Sequence, residues 1–191
     1  MEAEQNIVGL YVRLKPKQRI KFLMKHYKDF EAYRDSYREC VISIMIAINE
    51  YSRNKQEDLG VRVQMSGDNS DTTYKKAIER MEVEDCFDDV SVINDMFPDE
   101  YENALISTAL FEWTLMKKEF DQLNSCMKLV LNDYEFNLMR SFLARDKGLM
   151  DIADDYAIEI ESARKKVYRI KSKVLKGVIP WFKEYEINIP A

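Results

Sequence analysis

Lys147 opens the stretch KGLMDIADDYAI (residues 147–158), which together with the basic run RKKVYRIKSKVLK (residues 164–176) decides the fold of the C-terminal third of this chain. Two helices that cross closely need a small residue at the crossing and an apolar residue in the turn between them. Ala153 and Ile158 meet these two needs. The stretch therefore predicts two helices joined by a tight turn, of which the second is cationic.

The predicted second helix has one apolar face and one charged face. Apolar residues recur there at the spacing of three and four that a helix face requires: Ile160, Ala163, Val167, Ile170 and Val174. The opposite face holds Glu161, Arg164, Lys165, Tyr168, Lys171 and Ser172. Such a face can neutralise phosphates while its side chains reach base edges in the major groove. We expect it to bind double-stranded DNA, with an ordinary solvated surface as the alternative.

The candidate DNA-binding residues divide by their expected role. The side chains expected to enter the groove are Arg164, Lys165, Tyr168 and Arg169. Those expected to contact phosphates are Lys166, Lys171, Lys173 and Lys176.

Charge is distributed unevenly along the chain, whose 29 basic and 34 acidic residues give a net charge of -5. A negative total argues against a nucleic-acid partner, because proteins that bind nucleic acids are usually basic. Residues 164–176 are nevertheless basic, and a second basic cluster near the start contains Arg13, Lys15, Lys17, Arg19, Lys21, Lys25 and Lys28. Residues 82–112 carry acidic charges only. We expect them to form a solvated acidic surface, which keeps DNA away or binds a basic protein.

Helical spacing extends over almost the whole chain, and glycine and proline number only five and four. This pattern predicts an all-α fold. Pro16 suits the first turn of a helix, and a heptad-like apolar seam continues from there to Tyr51. The seam consists of Ile20, Leu23, Tyr27, Phe30, Tyr37, Val41, Ile44, Ile48 and Tyr51. We predict one long N-terminal helix, whose seam packs on a later helix of this chain or forms a homodimer.

A polar loop is predicted at residues 66–71, where its last residue or Thr72 caps a helix that continues through Met81. Residues 68–79 also match a calcium-binding loop in part. Thr73, however, replaces the glycine that such a loop needs for its sharp turn, so a plain linker is expected.

Two further helix starts are predicted, one at Pro98-Asp99 and one behind a capping box formed by Asn132 and Glu135. Gly177 and Pro180 are expected to end the cationic helix. We therefore divide the chain into three: a long-helix region at 1–65, a helical middle region with an acidic surface at 66–131, and a DNA-binding domain with an aromatic tail at 132–191. The tail contains Trp181, Phe182, Tyr185, Ile187 and Ile189, and it packs back on the domain or contacts a second copy or a polymerase.

Three elements of the C-terminal third occur in a familiar order: a helix opened by Asn132 to Glu135 with Leu138 and Phe142 inside it, GLMDIA at 148–153, and VYRIKSKV at 167–174. They resemble region 4 of bacterial sigma factors, and specifically the phage late-gene activators of the ArpU and RinA group, which carry a sigma-like C-terminus. The resemblance implies a sequence-specific transcription regulator of phage or prophage type, an activator that binds double-stranded DNA and contacts bacterial RNA polymerase.

The chain departs from that family at the turn. Ala157 stands where the family usually has a turn glycine, and Glu159 and Glu161 stand where its second helix usually starts with serine or a basic residue. Carboxylates repel phosphate, although an acidic side chain can also accept a hydrogen bond from a cytosine amino group. Which residues contact bases therefore stays open.

Other function classes find little support in the sequence. Cys40, Cys86 and Cys126 lack the spacing of a disulfide framework or a zinc site, and His26 is the only histidine, so we expect neither a cofactor nor a catalytic step. No apolar run is long enough to span a bilayer and no signal peptide is evident, so a cytoplasmic location is expected. The competing hypothesis is a helical interaction protein, such as an antirepressor or an adaptor, that does not bind DNA directly.

Overall fold

The computed structural model describes residues 6–57, 72–89 and 91–182, and every regular element in these ranges is helical. The prediction of an all-α fold is confirmed. The elements are α1 (Asn6–Arg13), α2 (Pro16–Lys25), α3 (Phe30–Glu57), α4 (Thr72–Asp85), α5 (Val92–Met96), α6 (Glu100–Val130), α7 (Asp133–Leu143), α8 (Leu149–Asp155), α9 (Ile160–Val178) and a 3₁₀ turn (Ile179–Trp181).

The chain forms two compact units that are not consecutive in sequence. The first unit contains residues up to Asp35 and from Thr114 onward, and the second contains Ser36–Trp113. Helices α3 and α6 are long enough to contribute to both units, so a division into consecutive segments does not coincide with them. The expected boundary after residue 131 lies inside the first unit, between α6 and α7, and the one after residue 65 lies outside the described residues.

The single long N-terminal helix that we predicted is wrong, because α2 and α3 are separated by a turn at residues 26–29. The His26 amide still donates to the Phe22 carbonyl at 2.9 Å, and the Asp29 amide donates to the His26 carbonyl at 3.0 Å. The turn places the Phe30 ring against Phe120, with centroids 5.2 Å apart. The apolar spacing of the sequence continues through the turn, so the spacing does not indicate that α2 ends before α3 begins.

A buried ion pair joins α2 and α6 in the first unit. The Arg19 guanidinium donates to both carboxylate oxygens of Glu119 and also, at 2.9 Å, to the Leu14 carbonyl. The Tyr11 hydroxyl donates to the same carboxylate from α1. Arg19 is only 1% exposed, so its charge is buried and does not add to the exposed charge of the basic cluster near the start of the chain.

The core of the second unit is built by α3, α4, α5 and α6. Its buried side chains are Val41, Ile42, Met45, Val83, Cys86, Ile93, Phe97, Ile106 and Leu110. The predicted seam of α3 is therefore partly wrong: Val41 is buried as expected, but Ile44 and Tyr51 are 45% and 65% exposed. The core takes up Ile42 and Met45 in their place, so the buried stripe of α3 is rotated from the predicted one.

Two predicted helix starts are confirmed by their caps. Asp99 Oδ1 accepts hydrogen bonds from the Tyr101 and Glu102 amides, both at 3.0 Å, and opens α6. Asn132 Oδ1 accepts from the Glu135 amide at 2.8 Å and opens α7. The loop predicted at 66–71, and with it the first four residues of the partial calcium match, lie outside the described residues, whereas residues 72–79 belong to α4. Within the described helices, none is long and apolar enough to cross a membrane.

Candidate functional site

Helices α8 and α9 are joined by a turn at residues 156–159. The Ile158 amide donates to the Ala153 carbonyl at 3.0 Å, and the Ala157 amide donates to the Asp154 carbonyl at 3.2 Å. These two bonds form a Schellman motif, which satisfies carbonyls that the end of α8 would otherwise leave unpaired. The residues singled out in the sequence, Ala153 and Ile158, are thus directly bonded across the turn.

The turn requires a left-handed residue, and this chain supplies alanine. Ala157 has φ of 47°, a conformation that glycine adopts without steric cost but that brings the Cβ of other residues too close to the carbonyl oxygen. Ala157 therefore has the backbone conformation that a turn glycine would adopt. The substitution leaves the turn in place and adds local strain.

The apolar face of α9 packs against α8, α7 and α2. Ala163, Val167, Ile170 and Val174 are buried as predicted, whereas Ile160 is 44% exposed. Gly177 lies inside α9 and does not end it: a Cβ built there would be 2.6 Å from Val130 Cγ2. Glycine at this position allows the C-terminal turn of α9 to approach the end of α6.

Four of the eight candidate residues project from the side of α9 opposite its buried face. They form what we call the outer face: Lys165, Tyr168, Arg169 and Lys176. Tyr168, Arg169 and Lys176 follow Lys165 by three, four and eleven residues, a spacing that places all four along one side of the helix. All four are exposed, and none makes a hydrogen bond or an ion pair with another residue in the described part of the chain.

The other four candidates have partners within the protein, and two of these partners come from the start of α7. Lys166 Nζ lies over the rings of Tyr134 and Tyr156, 4.4 and 4.5 Å from their centroids, and donates to the Tyr134 hydroxyl. Lys173 Nζ donates to a carboxylate oxygen of Glu135 at 2.6 Å. These two lysines therefore connect one flank of α9 to the start of α7.

The opposite flank of α9 holds the remaining two candidates. Lys171 Nζ lies 4.8 Å from the centroid of the Phe142 ring, and burial lowers the pKa of this lysine. Arg164 forms an ion pair with Glu161, one turn earlier in the same helix, at 2.8 Å. Of the residues expected on phosphates, only Lys176 belongs to the outer face, whereas three of the four expected groove residues belong to it.

Acidic side chains border the outer face at the start of α9. Glu159 precedes the first turn of α9 and Glu161 lies within it, and both are exposed. On α8, Asp151 accepts from the Gly148 amide at 2.7 Å, and Asp155 pairs with Lys147 at 2.5 Å. Two of the acidic side chains of α8 thus bind the backbone at its own N-terminus and a lysine in the loop before it.

One carboxylate in the acidic stretch of the second unit, that of Asp89, has a structural role. Asp89 Oδ1 accepts from the amide and the hydroxyl of Ser91, at 2.9 and 2.7 Å, and this hydrogen bonding lowers the pKa of Asp89. Within residues 6–57, 72–89 and 91–182, no group of three or more His, Cys, Asp or Glu side chains is placed to hold a metal ion.

Comparison with known proteins adds no relative to this chain: no family model, no curated protein and no solved structure matches it. The functional argument therefore rests on the outer face and on the helices that support it. Sequence reasoning had missed the support, because Tyr134, Glu135 and Phe142 are about thirty residues or more away from the lysines they contact. No local pattern connects residues at that separation.

Proposed function

We propose that this protein is a sequence-specific DNA-binding transcription regulator, in which α8 and α9 form a helix-turn-helix that presents the outer face of α9 to the major groove. By its resemblance to the sigma-like regulators, it is an activator of phage or prophage type, with bacterial RNA polymerase as a second partner. The observation that carries the proposal is the outer face: Lys165, Tyr168, Arg169 and Lys176 project from one side of a helix whose other side is buried.

The dimensions of the outer face suit a groove. Lys165 and Lys176 are eleven residues apart, which corresponds to about 16 Å along the helix axis. A helix fits the major groove of DNA, which is about 12 Å wide, and contacts bases over part of one helical turn. The two lysines at the ends of the face then lie within reach of phosphates, with Tyr168 and Arg169 between them.

The packing of α9 supports the same role. A helix that binds DNA must keep its position while it contacts a highly charged partner, and its buried face and flanking contacts provide that support. Lys166 and Lys173 serve this purpose in the proposal, since their charges are already directed at Tyr134, Tyr156 and Glu135. Base contacts at the start of α9 involve Arg164 and the neighbouring Glu161, whose ion pair fixes the guanidinium.

The experiment that tests the proposal compares variants of the outer face with variants elsewhere of equal charge. Lys165→Ala/Lys176→Ala removes two exposed charges from α9, and Lys21→Ala/Lys118→Ala removes two exposed charges from α2 and α6. Fluorescence anisotropy with random duplex DNA should show affinity reduced at least about tenfold in the first variant, and little changed in the second. Equal effects of the two variants would contradict the proposal.

A second candidate is the helical interaction module, an antirepressor or an adaptor. It is favoured by large exposed side chains on one side of α4, where Tyr74 is 64% and Met81 is 67% exposed. Exposed apolar groups of this size are typical of protein interfaces. If the chain binds no duplex DNA at low salt, this candidate takes the place of the first.

A further inference from the structure

A cavity of about 690 Å³ lies in the first unit, between α6, α7 and the turn that joins α2 to α3. Its size falls within the range of sites that bind small molecules, which is roughly 300 to 1,000 Å³. The outer face of α9 contributes no residue to its lining. The cavity is therefore a separate feature that the proposed DNA contacts do not use.

Aromatic rings form one part of the lining. Tyr27 and Phe120 lie with their centroids 5.3 Å apart, and Phe136 adds a third, half-buried ring from α7. The Tyr27 hydroxyl donates to Asn124 Oδ1 at 2.6 Å, which fixes the orientation of its ring. Burial raises the pKa of Tyr27, so the hydroxyl stays neutral at physiological pH. Phe120 is itself buried and stacks on Phe30, so Tyr27 and Phe136 are the rings that a planar ligand can reach.

Three cations form the other part of the lining: Lys28, Lys128 and Arg140. All three are exposed, and none is paired with a carboxylate within the part of the chain that the structure describes. Two carboxylates, Glu31 and Asp146, also line the cavity, so its formal charge is +1. Arg140 lines the same cavity as Tyr27, and its positive charge opposes the rise in the pKa of Tyr27 that burial causes.

From the rings and the cations together we infer that this cavity binds a small ligand in which a planar ring carries a phosphate group. The ring packs against Tyr27 and Phe136, and the phosphate accepts hydrogen bonds from Arg140, whose planar guanidinium matches phosphate oxygens two at a time. Lys28 and Lys128 supply the remaining positive charge. The inference does not depend on DNA binding.

Titration of the full chain with AMP and with phenyl phosphate, followed by amide chemical shifts, tests the inference. Saturable shifts are expected at the amides of Asn137 and Ser141, which line the cavity. Inorganic phosphate and adenosine each lack half of the ligand, so each should bind at least about tenfold more weakly than the better of the two probes.

Three variants locate the site. Arg140→Gln removes the guanidinium from an exposed position, and Phe136→Leu removes a ring while it keeps an apolar side chain. Each change should lower the affinity for the better of the two probes at least about fivefold. Lys165→Gln/Lys176→Gln changes the outer face of α9 and should leave probe affinity unchanged. Failure of both probes to bind, binding that is unaltered in Arg140→Gln and Phe136→Leu, or equally tight binding of inorganic phosphate would overturn the inference.

Discussion

Lys173 Nζ lies 2.6 Å from a carboxylate oxygen of Glu135, a residue 38 positions earlier in the chain. The Glu135 side chain is only 13% exposed, whereas that of Lys173 is 45% exposed. The pair therefore connects the first turn of α7 with the flank of α9 at the edge of the solvent. Lys173 was predicted to contact phosphates, but its charge is paired within the protein. The pair lies on the flank of α9 and involves no residue of the outer face.

Glu135→Gln should change how stability depends on pH. The hydrogen bond from Lys173 holds the pKa of Glu135 below its ordinary value of 4.5, although burial opposes this effect. A carboxyl whose pKa is lower in the folded chain stabilises the fold above the unfolded pKa and loses that contribution as the pH falls through the folded pKa. The parent should therefore be more stable than the variant at neutral pH, and the difference should disappear in acid.

Urea unfolding between about pH 3 and pH 7 measures this difference. Glu161→Gln is the control, since Glu161 forms an exposed ion pair with Arg164 that contributes little to stability. A difference between parent and Glu135→Gln that stays constant over the whole range would show that the ion pair is not its cause.

Ala157→Gly should stabilise the protein. Ala157 has φ of 47°, and glycine removes a steric cost of about 1 kcal/mol at such a position. Glycine also raises the conformational entropy of the unfolded chain, and this effect cancels a smaller part of the stabilisation. Ala47→Gly, at an exposed position inside α3, should instead destabilise by about 1 kcal/mol. Thermal unfolding of the two variants tests the sign, and a loss of stability in Ala157→Gly would contradict the left-handed turn.

Gly177→Ala should destabilise the protein even though alanine is the better helix former. The added Cβ would lie 2.6 Å from Val130 Cγ2, and a β-branched side chain has few rotamers with which to move away. Crowding of this kind costs about 1 to 3 kcal/mol, more than the gain in helix propensity. Ser172→Ala, on the exposed side of the same helix, should be neutral or slightly stabilising, and a similar result for Gly177→Ala would refute the close approach of α9 and Val130.

Arg19→Met should be among the most destabilising single changes, because it leaves the Glu119 carboxylate buried without its cation. The loss of one partner of a buried ion pair costs about 3 to 5 kcal/mol. Arg19→Met/Glu119→Gln should recover a large part of this loss, since the second change removes the uncompensated charge and keeps an acceptor for Tyr11. Chemical denaturation of the single and double variants tests this, and equal stabilities of the two would argue against a buried charge at Glu119.

Features that depend on neighbouring residues could be predicted from the sequence. The caps at Asp99 and Asn132 act within three residues, so their chemistry was visible in the chain itself. The same holds for the buried face of α9, whose spacing follows directly from helix geometry. Ala153 and Ile158 were identified because a tight helical turn makes specific local demands.

Features that depend on residues far apart in sequence could not be predicted. The turn at 26–29 leaves the apolar spacing intact, and the residue that follows it, Phe30, packs on Phe120, ninety positions later. The buried ion pair of Arg19 was not predicted, because its partner, Glu119, is 100 positions away. Lys166 and Lys173 were likewise predicted to contact phosphates, because their partners on α7, Tyr134 and Glu135, are far away in sequence. The helix α9 and its buried face could thus be predicted from the sequence, but the partners of its individual lysines could not.

The salt dependence of binding to random duplex DNA tests the central claim most directly. The outer face carries three cations, Lys165, Arg169 and Lys176, and each phosphate contact contributes about 0.9 to the slope of log affinity against log salt concentration. The account predicts measurable binding at low salt with a slope of about -2 to -3. A chain that binds no duplex at low salt, or whose affinity does not change with salt concentration, would contradict it.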